Sequence, residues 1–331
     1  MHGWVNGGGK PVFSMKRRGG GAATDWSAVC LFPDRIDVAR VTRSGERPVV
    51  RAMESYARSG PDVDALKRIG KKYGLGRARC TTLLAGSDYQ TLQLEQPATL
   101  GPDGSLRDAL KDRVGESIDQ PIAHVGYDAV TIPTQAQAPG RAQNAYVVIA
   151  GNAALAPRVQ MFHAANVALR AIDIPEMAQR NVAALCEQKA RALAFLVFNQ
   201  QEGLLTFTCN GELYMARRVD VGLKDFVIDD LDRRSSVYDR IGLEVQRSLD
   251  NFDRQYGFLP LARLLIGPQP EAAPLQGFLR DYLGIKVETL DLADVLDFPT
   301  VPELRKPERQ AQCLLSIGAA LRDESAIKAA A

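Results

Sequence analysis

The stretch that most restricts this chain is residues 194–219, AFLVFNQQEGLLTFTCNGELYMARRV. An apolar run over 194–198 gives way to a polar turn over 199–203, a second run over 204–209, the dipeptide Asn210-Gly211, and a third run over 212–219. Asn-Gly between two strand-like runs supplies the two positive-φ positions of a tight hairpin, the strongest short-range hairpin signal a sequence carries. The stretch therefore predicts a three-strand antiparallel meander. A similar opening appears near the start of the chain. Residues 27–32 are strand-like, Pro33-Asp34 form a turn, residues 35–43 alternate through Ile36, Val38 and Val41, and residues 48–55 form a third run. A chain of 331 residues exceeds the size at which one core stops growing, so two openings predict two domains.

The segments after the two openings are also similar. After the first, Pro61-Asp62 start a helix with Val63, Leu66, Ile69 and Tyr73 inward, ended by Gly74, and residues 80–84 form a buried strand. After the second comes a charged connection over 220–234. A helix over 235–256 then repeats Val237, Ile241, Val245, Leu249 and Phe252, with a strand at 264–267, a helix at 275–283, a strand at 287–290 and a last helix at 310–322 behind it. The first half carries extra material at about 89–172. Residues 89–95 alternate Leu92 and Leu94 with polar neighbours, as an exposed edge strand does. Leu106, Leu110, Val114 and Ile118 define one helix over 105–118, and strands at 129–132 and 146–150 flank a loop at 133–143. A helix over 153–166, a strand over 168–174 and a helix opened by Pro175 complete the half. The expected division is a flexible leader 1–24, a first domain 25–190 including the insertion, and a second domain 191–331.

Composition excludes several classes. Forty-one basic against thirty-nine acidic residues leave a net charge of +2, which gives no bulk attraction to nucleic acid or to a membrane surface. Five scattered cysteines fit buried thiols in a reducing, cytoplasmic setting, and no apolar run is long enough to span a bilayer. The leader holds Lys10, Lys16, Arg17 and Arg18 but no apolar core of a secretory signal, and Met15 is an alternative start. Chemistry-bearing motifs are scarce. Gly9-Lys10 is followed by Pro11, which fails the phosphate-loop pattern; His2, His124 and His163 are isolated, and no cysteine pair has metal-ligand spacing. The fragment Ala85-Gly86-Ser87-Asp88 reads as turn chemistry, and Asp229, Asp230 and Asp232 beside Arg233 and Arg234 read as a solvated charge run.

Several blocks carry a family likeness. Leu92-Gln93-Leu94-Glu95-Gln96-Pro97, Tyr127-Asp128-Ala129-Val130-Thr131-Ile132-Pro133, and the segments 146–151, 168–175, 205–218 (LTFTCNGELYMARR), 243–252 and 315–322 (LSIGAALR) occur in the order found in bacterial pilus-assembly proteins. With the duplicated layout, the chain resembles the actin-like ATPase superfamily in its FtsA/PilM variant. Within it the likeness is to PilM-type proteins of the MshI kind, which serve mannose-sensitive haemagglutinin type IV pili. The resemblance implies duplicated RNase H-like domains with an inserted subdomain. It also implies a cytoplasmic scaffold that reaches the inner membrane only through partners, holds the cytoplasmic N-terminal segment of a bitopic PilN-like protein, and contacts the pilus assembly ATPase. Active relatives hold ATP and magnesium with Asp-x-Gly-x-(Ser/Thr) turns in each opening hairpin and a Gly-Gly near the adenosine. Here the corresponding positions are Asp25 with Pro33 nearby, Asn199 and Gly203, and Gly267 before Pro268, so catalysis is not expected and no cofactor is assigned. The alternatives are an ATP-binding ATPase or kinase with atypical loops and the related L-type component of type II secretion. For the peptide partner, Leu92 and Leu94 either line a groove or pack against the helix over 105–118.

Overall fold

The computed structural model describes residues 25–43, 45–97, 99–100, 104–134, 143–226, 231–270 and 272–323, of which 231–233 by backbone alone. The leader, Met15, His2, Asp229 and Asp230 lie outside the described residues.

The chain opens with strands β1 (Trp26–Leu31), β2 (Arg35–Thr42) and β3 (Val49–Ala57), helix α1 (Asp62–Tyr73) and strand β4 (Arg79–Leu83). Gly74 takes the left-handed conformation at φ 64° that ends α1. Next come β5 (Tyr89–Glu95), two short helices α2 (Leu106–Ala109) and α3 (Lys111–Glu116), β6 (Val125–Thr131) and β7 (Asn144–Gly151). Helix α4 (Asn152–Ala164), β8 (Leu169–Asp173) and α5 (Pro175–Cys186) close the first half. The second half runs β9 (Ala192–Phe198), β10 (Gly203–Cys209), β11 (Glu212–Val219), α6 (Leu231–Tyr256), β12 (Leu261–Ile266), α7 (Ala272–Leu283), β13 (Val287–Thr289) and α8 (Pro307–Ala320). The Asn210-Gly211 turn has φ of 53° and 76°, as the hairpin signal requires.

Two five-stranded sheets have the same plan. The first is ordered β3-β2-β1-β4-β8 and the second β11-β10-β9-β12-β13, each with an antiparallel meander on one side and two parallel strands on the other. A third sheet, β5-β7-β6, is antiparallel throughout. Helices cover both faces of the large sheets, so the central strand β9 is buried along its whole length and reads as a continuous apolar run. In the first sheet Val29, Ile36 and Val38 meet Leu66 and Ile69 of α1 and Phe162 of α4, while Ala28, Cys30, Ala39 and Val41 meet Cys313, Leu314 and Ile317 of α8. In the second, Leu193, Phe195 and Val197 face Ala178 and Val182 of α5, and Ala194 and Leu196 face the side held by Ile241 and Val245 of α6 and Leu275 and Leu279 of α7.

The halves are therefore interlocked. Helix α8 belongs to the second half in sequence but packs on β1 and β2, whereas α5 belongs to the first and packs on β10 and β11. The two helices cross at Gly318, where a Cβ would collide with the carbonyl of Ala178 and stand 2.8 Å from its carbon. The Asn181 amide donates to the Gly318 carbonyl at 2.9 Å across the same crossing.

Three sequence expectations are revised. The inserted sheet ends at Gly151, because α4 packs with α1 and β8 pairs with β4; an insertion running to residue 172 takes in two elements of the first sheet's own layer. The single helix over 105–118 is two, divided at Leu110, whose ψ near 0° breaks the helical geometry while Leu110 and Val114 still face Tyr127 and Val147. The long helix begins at Leu231, inside the charged connection.

Candidate functional site

The two opening hairpins end in turns of different chemistry. Strand β1 pairs with β2 from Trp26↔Val41 to Leu31↔Ile36, so the first turn is residues 32–34. Asp25 lies at the opposite end of β1, exposed, and accepts a hydrogen bond from the Thr42 hydroxyl at 3.0 Å; it takes no part in the turn. At the turn itself Pro33 has no amide to offer. The Phe32 amide donates to the Arg35 carbonyl, and the Phe32 and Asp34 carbonyls accept from the Arg58 side chain (2.7 Å) and amide (3.0 Å). The Arg35 guanidinium stacks on the Phe32 ring at 4.3 Å and binds Asp37, which is fully buried and also accepts from Ser55 and from Ser316 of α8. Burial pushes the Asp37 carboxyl up, against the pull of Arg35 and the two serines.

The first turn is one wall of an apolar cavity of about 410 Å³. Leu31, Phe32 and Pro33 face Ala154, Pro157 and Met161 of α4, with Ala85 between and Arg58, Asp62 and Arg158 at the edge. Arg158 donates to the Leu83 carbonyl and pairs with Asp88 at 3.4 Å, and burial holds its guanidinium below its usual pKa.

The second turn is closed on itself. Asn199 Oδ1 accepts from the amides of Gln201 (2.7 Å) and Glu202 (3.0 Å), so two amides that could face a ligand cap the turn instead. The Asn199 carbonyl accepts from the Leu223 amide, and Gly222 lies so close that a Cβ there would stand 2.5 Å from the Gln200 carbonyl oxygen. Gly203 is kept by packing, because a Cβ would stand 2.9 Å from the Phe198 ring. Gly267, after β12, donates its amide to the Leu196 carbonyl at 2.7 Å and leaves 3.0 Å between a Cβ and Val197. Two residues on, the buried Gln269 side chain has no hydrogen-bond partner for either amide atom among the described residues.

Beside the second turn one arginine joins the second sheet to the inserted sheet and to the head of α5. Arg218, at the end of β11, donates to Glu202 in the turn, to the Tyr89 oxygen at 2.6 Å at the start of β5, and to Glu176 at 3.1 Å in the first turn of α5. Tyr89 in turn donates to the second oxygen of Glu176. Burial pushes the Glu176 carboxyl up, while Tyr89 and Arg218 pull it back. These partners lie 16 to 129 positions from Arg218 in sequence, a separation that hides them from any local pattern of residues.

The sequence-derived partner residues fall elsewhere. Leu92 and Leu94 are half-buried and pack with Leu110 and Val114, on the helix side of β5. The outer edge of β5 faces β11, to which it is joined through Tyr89–Arg218 and a Gln93 amide donating to the Tyr214 carbonyl at 3.4 Å. His124 and His163 are exposed, and among the described residues no group of three or more His, Cys, Asp or Glu side chains could hold a metal.

Two sheets of identical plan, exchanged helices and an inserted sheet make this an actin-like ATPase fold. A chain of the solved PilM-PilN type IV pilus biogenesis complex superposes with a TM-score of 0.68 at 18% identity, over 91% of this chain and 99% of that one. The cytoplasmic domain of EpsL, an inner-membrane component of the type II secretion system of Vibrio cholerae, gives 0.47 at 16% identity over 91% and 96%. A Bacteroides thetaiotaomicron protein of actin-like ATPase fold gives 0.45 at 7% identity over 82% and 92%. No family model and no curated protein matches the sequence. No helix among the described residues is long and apolar enough to cross a membrane.

Proposed function

We propose that this protein is a non-enzymatic scaffold of type IV pilus biogenesis, cytoplasmic and held at the inner membrane by its partners. Its task is to bind the cytoplasmic N-terminal segment of a PilN-like bitopic protein and to engage the assembly ATPase. The observation that carries this reading is the first turn. Where a phosphate-binding hairpin offers amides, this one offers Phe32 and Pro33 to an apolar cavity of about 410 Å³, large enough for one or two aliphatic side chains of an extended segment. The MshI-like blocks, 205–218 above all, favour the mannose-sensitive haemagglutinin subtype.

The test is titration of a fluorescent peptide bearing the N-terminal segment of a PilN-like partner. Binding that is lost in Ala154→Trp, which fills the cavity from α4, supports the assignment; no binding at high micromolar concentration overturns it. A peptide from an L-type secretion partner binding more tightly would move the assignment to type II secretion.

A second reading, residual nucleotide binding, draws on Gln269, a buried amide without a partner among the described residues, two positions after Gly267, where the family resemblance puts the adenosine contact. Both phosphate turns argue against it, since Pro33 lacks an amide and those of Gln201 and Glu202 are engaged by Asn199. Calorimetry with ATP and magnesium decides: a dissociation constant below about 100 μM, roughly 5.5 kcal/mol of binding, would return the chain to the nucleotide-dependent class.

A further inference from the structure

We propose that the corner of the first half formed by the end of α1 and the start of β4 is a docking surface for the anionic headgroups of a phospholipid bilayer. From residue 67 to residue 79 the chain carries Lys67, Arg68, Lys71, Lys72, Arg77 and Arg79 and no acidic residue, and all six side chains are exposed. The net charge of +2 for the whole chain conceals this local excess. The fold gathers it further. Helix α1 buries Ala65, Leu66 and Ile69, so Lys67 and Lys71, and Arg68 and Lys72, each one turn apart, lie on its outer side. The loop after Gly74 leads directly into β4, and Arg170 is exposed on the neighbouring strand β8, between the paired positions Cys80↔Leu169 and Thr81↔Ala171. Lys67 pairs with Asp64 at 3.6 Å and Lys72 with Glu54 at 2.5 Å, whereas Arg68, Lys71, Arg77 and Arg170 make no ion pair among the described residues.

The fold does not require such a segregation of charge. Helix α6, which follows the second meander as α1 follows the first, carries five basic and five acidic residues. Basic residues in a last helical turn complement the helix dipole, which accounts for Lys71 and Lys72 but not for Arg68, Arg77 or Arg170. A basic cluster of this size attracts a negatively charged bilayer surface, each cation strengthening binding about fivefold. Nucleic acid fits less well. The rings beside the patch, Tyr56 and Tyr73, are covered by the Lys72 ammonium at 5.5 and 5.3 Å and packed on the core beneath, so neither offers a face to a base. The placement also agrees with the scaffold reading, on which this one step rests. Arg58 and Asp62 at the edge of the cavity stand at the head of α1 and the basic corner at its far end, about 15 Å away at 1.5 Å per residue. A membrane-tethered segment seated in the cavity thus keeps the corner near the headgroups.

The test is co-sedimentation of the full chain with vesicles, with no peptide present. Vesicles of about one-third phosphatidylglycerol in phosphatidylcholine are compared with vesicles of phosphatidylcholine alone. The triple variant Arg68→Gln, Lys71→Gln, Arg77→Gln removes three cations at exposed positions that make no ion pair, and Arg170→Gln, on the adjacent strand, gives a separate reading. The parent is expected to bind the anionic vesicles and not the zwitterionic ones, and to be released by about 0.5 M salt. Binding should weaken about a hundredfold in the triple variant and about fivefold in Arg170→Gln. A parent that does not bind the anionic vesicles overturns the proposal. So does a triple variant that binds as well as the parent, an outcome that assigns the attraction to Lys10, Lys16, Arg17 and Arg18, outside the described residues. Tighter binding to a DNA duplex than to the anionic vesicles overturns it as well. Failure of the peptide titration above leaves this measurement unaffected, so the two proposals are tested separately.

Discussion

The two halves of this protein are copies in plan and opposites at their turns. Both sheets open with an antiparallel hairpin, yet the first turn is apolar and carries proline, and the second is polar and capped by its own asparagine. In the first, the backbone carbonyls are tied back by Arg58 and the side chains face a cavity. In the second, the amides are tied by Asn199 and the side chain of Glu202 is held by Arg218. One fold position thus lines an apolar cavity in one copy and is held by a charged cluster in the other. A fold tolerates this because strand pairing and helix cover set the sheets, while the chemistry of a turn adds little to them.

The turns are not all that holds the halves together, and the largest effect is expected away from them. If the α5–α8 crossing is the main fastening and the turns are secondary, Gly318→Ala should outweigh any turn variant. Its Cβ would meet the Ala178 backbone, which cannot rotate away, so a loss of about 3 kcal/mol is expected in chemical denaturation. A loss below that of the Arg218 variant would reverse the ranking.

Next comes Arg218→Met, which strands the buried Glu176 carboxylate. Removing one partner of a buried pair costs about 3–5 kcal/mol, and the arginine's one-third exposure brings the expectation to about 2 kcal/mol. The added substitution Glu176→Gln should restore part of it, because it removes the unpaired charge. Asn199→Ala ranks third at about 1 kcal/mol, the typical value of a side chain capping backbone amides. It also frees the amides of Gln201 and Glu202. If it made Mg-ATP binding measurable by calorimetry, the second turn would be a masked phosphate site and the contrast with the first would sharpen.

Much of the plan was legible in the sequence and little of the fastening was. Asn210-Gly211 fixed one hairpin, Pro175 the start of α5 and Gly74 the end of α1, because each of these signals acts within a few residues. The run 27–32 followed by Pro33-Asp34 reads as a strand and its turn, and the pairing with β2 agrees; Asp25, matched through the family resemblance alone, lies at the far end of β1, away from that turn. The insertion's end at Gly151 was hidden because α4 and β8 read alike whichever layer they join. Arg218 stood beside Arg217 at the end of an amphipathic strand, and Glu176 opened a helix as acids commonly do. Neither position announced a partner that only the folded chain supplies.

The outer strands offer the smallest and most specific test of the contrast. β3 and β11 hold equivalent edge positions, and both reach the other half, β11 through Arg218 to Tyr89 and Glu176 and β3 through Val50 to Asp297 and Ser55 to Arg309, but Glu54 of β3 finds its partners within its own half. On β3, Glu54 accepts from Lys72 at 2.5 Å and from Tyr56 at 2.6 Å, with Tyr73 adjoining Tyr56 at 3.1 Å. The hydrogen bond from Lys72, then those of Tyr56 and Tyr73, lower the Glu54 pKa to about 2. A carboxyl whose pKa is lower folded than unfolded stabilises the protein fully above its ordinary value of 4.5, and that contribution is lost as pH falls toward about 2. Glu54 is 42% exposed, so the contribution is expected below about 1 kcal/mol. Thermal midpoints of the parent and of Glu54→Gln should therefore differ slightly at pH 6 and converge by pH 2. Glu176 has the opposite sign: burial raises its pKa, so its ionisation weakens the fold as pH rises above 4.5, and Glu176→Gln should flatten the decline on that side. A parent whose stability does not fall between pH 4.5 and 2 would mean that the local tie on β3 is as dispensable as an ordinary surface pair, leaving β11 as the outer strand with an energetic role.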